Sequence, residues 1–113
     1  MKKKTKRARR PASPDEKIDL LNINEGVGNT RMARWKYEIY RRAILKAVPR
    51  SADGIAFLDL SSVVEALLPE DRRPELGSVQ WHVTSVKLDL EARGEIERIP
   101  SSKPQRLRRP RVR

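Results

Sequence analysis

Residues 79–98 read VQWHVTSVKLDLEARGEIER, and the spacing of apolar side chains in this stretch decides the fold. Val79, Val83, Val86 and Leu90 recur at intervals of three and four, so a helix gathers them on one face. Arg93 and Gly94 then end it, because a cation sits well beside a helix C-terminus and glycine accepts the left-handed backbone that closes one. Glu95 to Ile99 alternates like a half-buried strand. The helix starts between Pro74, a favourable first-turn residue, and Ser78, whose hydroxyl suits an N-cap.

On the C-terminal side, Pro100 to Pro104 makes a turn, and Gln105 to Arg109 can pair back with Leu107 inward, completing a hairpin. On the N-terminal side, Phe57, Leu60, Val64, Leu67 and Leu68 line one face of another helix that begins near Phe57 and stops at Pro69. Asp53 and Gly54 turn the chain ahead of it, and Ile55 and Ala56 give a minimal strand. The connection PEDRRPELG is longer than the three or four residues of a strict helix-turn-helix.

A first helix is expected from about Met32 to Val48, with Tyr37, Tyr40, Ile44, Ala47 and Val48 facing the core and Pro49 stopping it. Met32, Trp35, Ile39 and Ala43 form a second stripe on this helix, which needs its own cover. Ile18, Leu20, Leu21 and Ile23 are apolar and partly alternating; the segment 18–29 is expected to lie extended against the domain, with Ile18 to Ile23 covering that stripe. Residues 1–17 combine like charge with Pro11 and Pro14 and cannot bury enough apolar surface to order themselves. The expected organisation is a disordered basic tail (1–17), an extended segment (18–29), a helical domain (30–109) and a short basic end (110–113).

Composition excludes several functions. A chain of 113 residues with 4% aromatics builds one small core and no large substrate cavity. Cysteine is absent, which removes disulfides, thiolate metal sites and a cysteine nucleophile, and a single histidine, His82, removes a multi-histidine metal centre. No metal or cofactor is expected. Without an apolar run of spanning length or a signal-peptide core, the chain reads as a cytoplasmic protein with no membrane role. Enzymatic function is not expected either. Asp89 and Glu91 on the third helix, like Glu95 and Glu97 on the strand, read as ordinary solvated charge, and His82 with Ser78 and Ser85 lies on one helix rather than converging from separate elements.

The formal charge is +11, unevenly distributed. Lys2, Lys3, Lys4, Lys6, Arg7, Arg9 and Arg10 crowd one end; Lys103, Arg106, Arg108, Arg109, Arg111 and Arg113 crowd the other. Thirteen of the 26 basic residues remain between residues 11 and 102, against all 15 carboxylates. The middle is therefore slightly acidic.

The order helix, minimal strand, helix, helix, hairpin, left through LDLEARGEIER at residues 88–98, resembles the winged-helix superfamily. The chain is also similar to a family of short uncharacterised bacterial proteins that pair a KYE-type first helix, here Lys36, Tyr37 and Glu38, with a VxLDLEAxG segment, here Val86 to Gly94. The resemblance spans roughly residues 20–109. It implies a mainly α fold with a small β-hairpin, a winged helix-turn-helix of three helices plus wing, and the nucleic-acid binding common in that superfamily. The short family brings no established activity. One departure is Ala33, where an acidic or amide helix cap is expected, so the first helix would begin nearer Asn29 or Thr30.

On that reading, Gln80, Thr84, Ser85 and Lys87 are the base-facing residues of the third helix, while Lys103, Arg106, Arg108 and Arg109 of the wing and Lys2, Lys3, Lys4, Lys6 and Arg7 of the tail contact phosphates. A cytoplasmic duplex-DNA-binding protein of modest sequence preference follows, with transcriptional regulation one use of it. A different reading makes Trp35 with Ile39, and Trp81 with Leu88, the apolar stripes of a homodimer or protein-docking surface with no DNA role. The favoured reading of Trp81 and Leu88 on this helix is nonetheless core, since a central helix is often buried on two sides. RNA is a weaker partner, because the basic segments lack interleaved aromatics.

Overall fold

In a computed structural model of the chain, residues 16–24 and 26–110 are described. The elements run β1 (Lys17–Asn22), β2 (Gly26–Ala33), α1 (Arg34–Ala47), β3 (Ile55–Ala56), α2 (Phe57–Leu67), a 3-10 turn (Glu70–Glu75), α3 (Val79–Arg93), β4 (Glu97–Arg98) and β5 (Arg106–Arg108). β1 pairs with β2, and a second antiparallel sheet has the strand order β3-β5-β4. The architecture is mixed α/β, with helix predominating over two small sheets.

The stretch 79–98 forms the helix, stop and strand that its pattern calls for. The Ser78 hydroxyl accepts a hydrogen bond from the Trp81 N–H at 3.2 Å. At the other end Gly94 is left-handed, with φ of 81°, and the Gly94 and Glu95 N–H groups return to the carbonyls of Glu91 and Leu90. A Cβ at Gly94 would meet nothing within 4 Å, so it is the backbone angle that calls for glycine there. Gly54 faces the stricter demand. Its φ is +60°, and a Cβ would stand 2.1 Å from the Leu107 carbonyl oxygen, because the turn before β3 presses against β5.

The core joins Val83, Val86 and Leu90 of α3 to Tyr40, Ile44 and Val48 from the first helix, Leu60, Val64 and Leu68 from the second, and Ile96 and Leu107 from the small sheet. Full burial of each such side chain contributes about 1.5–3 kcal/mol, which is how so few aromatics suffice. Leu107 points inward as its strand alternation requires. Leu67 does not: it is 38% exposed, because α2 ends there and Leu68 takes the inward position as the chain turns towards Pro69.

Two expectations fail at the N-terminal side. The first helix begins at Arg34 rather than at Met32, Asn29 or Thr30, and residues 26–33 are strand. An extended segment lying alone against a domain would leave its backbone groups unpaired, and antiparallel pairing with β2 satisfies them. The pairing ends at Lys17 opposite Ala33, where α1 takes over. Ala33 offers no side-chain cap, and the Arg34 N–H instead donates to the Glu16 carbonyl at 3.0 Å. Nor does the segment serve mainly to cover the stripe through Trp35. β1 lies chiefly along α3, and the groups over the Trp35 ring are the Arg72 guanidinium, 4.2 Å from its centroid, and Lys36 Nζ at 5.6 Å. Of the expected basic tails, only Glu16, Lys17 and Pro110 fall within the described residues.

No helix among the described residues is long and apolar enough to cross a membrane.

Candidate nucleic-acid interface

α3 carries polar and charged residues at eight of its fifteen positions, and four of these, His82, Lys87, Asp89 and Glu91, are buried. Asp89 is fully buried. One carboxylate oxygen accepts from the Leu21 N–H at 2.8 Å, the other from the Tyr37 hydroxyl at 2.6 Å, and Arg93 Nε reaches both from one helical turn away. A single side chain thus ties β1, α1 and α3 together. Burial, then the bond to Asp89, hold the Tyr37 hydroxyl protonated well past its ordinary range.

Lys87 and Glu91 do the same on the opposite flank. Lys87 Nζ lies 2.7 Å from Glu91 Oε2 and donates to Gln105 Oε1 at 2.8 Å, while it stands 4.5 Å from the centroid of Phe57. Glu91 also accepts from Arg98 Nε, on β4. With only 3% of its side chain exposed, Lys87 cannot be the base-facing cation the pattern suggests. The reason is geometric: Lys87 sits on the flank of α3 that meets the hairpin β4–β5, and its long apolar stem is buried there. Asp89 and Glu91 are likewise not solvated charge.

Apart from Arg93, what α3 turns outward is neutral. Gln80 and Trp81 are exposed, with Trp81 at 49%, and Thr84, Ser85 and Leu88 are half-buried. Trp81 is therefore not core. Its ring meets the edge of His82, which is buried, stacks on Tyr40 at 4.9 Å and places Nδ1 2.6 Å from the Ser78 carbonyl. Burial lowers the pKa of His82.

The hairpin presents a different chemistry. Arg106 and Arg108 lie to either side of inward Leu107, so both project from the outer face of the small sheet. Arg106 Nε donates to the Asp53 carbonyl at 2.7 Å, Arg109 Nε to the Val48 carbonyl at 2.8 Å, and Arg108 Nε to Glu97 at 2.6 Å. Arg50, which the sequence pattern does not single out, donates from Nη1 to the Pro110 carbonyl at 2.6 Å. Its place beside the C-terminal residues follows from tertiary pairing alone, and no local signal announces it. The guanidinium heads are thus partly engaged, yet a guanidinium has five donors and each keeps others. Lys103, at the hairpin tip, is exposed.

Carboxylates decide which of these charges persists in the field. Nine cations have a carboxylate partner, among them Arg31, Arg34, Arg41, Arg72 and Arg73. Arg50, Lys103, Arg106 and Arg109 have none among the described residues and lie on β5 or beside its two ends; Lys17, Lys36, Arg42 and Lys46, on β1 and α1, have none either. Between residues 16 and 110 cations exceed carboxylates by three; the remaining eight units of net charge lie in residues 1–15 and 111–113. Lys2, Lys3, Lys4, Lys6 and Arg7 are outside the described residues.

Trp35 and Ile39, the other apolar pair of interest, are both half-buried on α1. No three His, Asp or Glu side chains among the described residues converge as metal ligands. No curated protein and no solved structure matches the chain. It does match a family model over residues 17–107, from β1 through the returning strand, and so belongs to a family of unknown function (DUF6958).

Proposed function

We propose that the chain is a winged-helix protein that binds duplex DNA through the phosphates, using the wing β4–β5, the neighbouring Arg50 and the two basic ends, while α3 contributes at most a modest sequence preference. The observation that carries this reading is the set of Arg50, Lys103, Arg106 and Arg109 without carboxylate partners among the described residues, with Arg50 bonded to Pro110, in a chain whose residues 1–15 and 111–113 hold most of the net charge. Helix, short strand, two helices and a hairpin, with strand order β3-β5-β4, accord with a winged helix. Gln80, Thr84 and Ser85 are the outward hydrogen-bonding groups of α3, and none is a cation. A helix so furnished holds little of the affinity.

The test is binding of the intact chain to short duplexes of unrelated sequence across a salt series. Phosphate contacts give a slope of about −0.9 in log K against log salt for each phosphate neutralised. Similar affinity for all duplexes with a steep slope is the expected result. No binding at low salt overturns the proposal. RNA ranks below DNA, because no aromatic side chain is interleaved with the basic groups for base stacking.

A protein interface on α3 is a second reading, favoured by the exposure of Trp81 beside half-buried Leu88. It is tested by the oligomeric state of the intact chain and of Trp81→Ala.

A further inference from the structure

Between α1 and α2 runs a groove with an apolar floor and a basic edge. Ile39 and Ala43 of α1 line it with Leu67 and Pro69, and Arg42 and Lys46 stand at the rim. Its volume is about 270 Å³, below the range of small-molecule sites and suited to a few apolar side chains. The apolar strip continues past the groove, since Val63, one turn before Leu67 on α2, is equally exposed at 38%. Among the described residues nothing covers this strip. Arg42 and Lys46 are both exposed, one helical turn apart, and neither has a carboxylate partner among the described residues.

We propose that this groove docks an acidic amphipathic helix of a partner protein, with apolar side chains against Ile39, Ala43 and Leu67 and carboxylates against Arg42 and Lys46. Three considerations select that occupant. A groove between two helices, edged by cations at i and i+4, is met by a helix with its own acids at i and i+4. A nucleic-acid backbone would satisfy the cations but would leave Ile39 and Leu67 facing phosphate and water. A second copy of this chain, related by a two-fold axis, would bring Arg42 and Lys46 against themselves. The inference does not depend on DNA binding, because the groove cations are distinct from those around the small sheet.

The experiment uses the intact chain and a fluorescent Leu/Glu amphipathic peptide of about 18 residues, five turns of helix. The reference is a peptide of equal charge with each Leu replaced by Gln, which measures attraction to the basic ends alone. At a salt concentration of about 0.15 M, the Leu/Glu peptide is expected to bind at least about tenfold tighter than the reference. That advantage should disappear in Arg42→Glu/Lys46→Glu, whose positions are solvent-facing, and in Leu67→Glu, with circular dichroism unchanged. Equal binding of the two peptides overturns the proposal, as does an advantage that survives both variants. Loss of duplex DNA binding in Arg42→Glu/Lys46→Glu, with no effect on the peptide, would assign the rim to nucleic acid instead.

Discussion

α3 and the hairpin β4–β5 are both rich in charge, and they use it in opposite ways. On α3, Asp89, Glu91 and Lys87 are directed into the protein, where each meets a partner, and exposed Arg93 pairs with Asp89 at the helix end. At the hairpin, Arg98 and Arg108 have carboxylate partners, whereas Arg50, Arg106 and Arg109 rest on backbone carbonyls, which fix their position without cancelling their charge. Carbonyls anchor a guanidinium; only carboxylates neutralise it. On α3 charge therefore works for cohesion, while at the hairpin Lys103, Arg106 and Arg109 keep charge that no carboxylate among the described residues cancels.

The largest effect should come from Asp89→Ala. It strips partners from Arg93, the Tyr37 hydroxyl and the Leu21 N–H at once, and breaking a buried charged network of this kind costs about 3–5 kcal/mol. Denaturant unfolding measures this, and a loss within the ordinary scatter of surface substitutions would mean that Asp89 is solvated after all. Lys87→Met comes next. It leaves Glu91 with only Arg98, at a cost of about 1–3 kcal/mol, while the Met side chain keeps the apolar stem. Its affinity for duplex DNA, measured where the variant is fully folded, should match that of the parent. A fall in affinity at unchanged stability would return Lys87 to the outer surface of α3.

A smaller effect is set by pH. His82 is the only histidine, and burial lowers its folded-state pKa below the ordinary value of 6.5. The unfolded chain then binds the proton more readily, so the His82 contribution is complete above about pH 6.5 and is lost as pH falls from there towards the lower folded value. Unfolding midpoints should decline between pH 7.5 and 5.5, and the same titration on His82→Gln should be flatter. A flat profile in the parent chain would contradict the burial of this ring against Tyr40.

The apolar periodicity of residues 55–109 carries the helices α2 and α3, both their stops, and the inward Leu107, because burial and backbone capping act over a few residues at a time. β2 is less legible. Met32 and Ala33 extend the helical pattern of α1, and only their pairing with Ile18 and Lys17 across the chain makes them strand. Buried charge is hardest to read. LDLE has the alternation of a solvated surface, and what turns Asp89 inward is the arrival of Leu21 and Tyr37 from 68 and 52 residues away. The basic ends needed no structure to be seen, yet Arg50 joins the hairpin cluster only through a contact 60 residues distant.

The most direct measurement is the salt dependence of duplex binding in two variants of the full chain. In one, Gln80, Thr84 and Ser85 are replaced by Ala; in the other, Arg50, Lys103, Arg106 and Arg109 are replaced by Gln. The account predicts that the α3 variant keeps the parental affinity and slope, and that the second loses affinity and flattens the slope by about one unit for each phosphate contact removed. The reverse outcome, with binding lost through α3 and kept without the four cations, would contradict it.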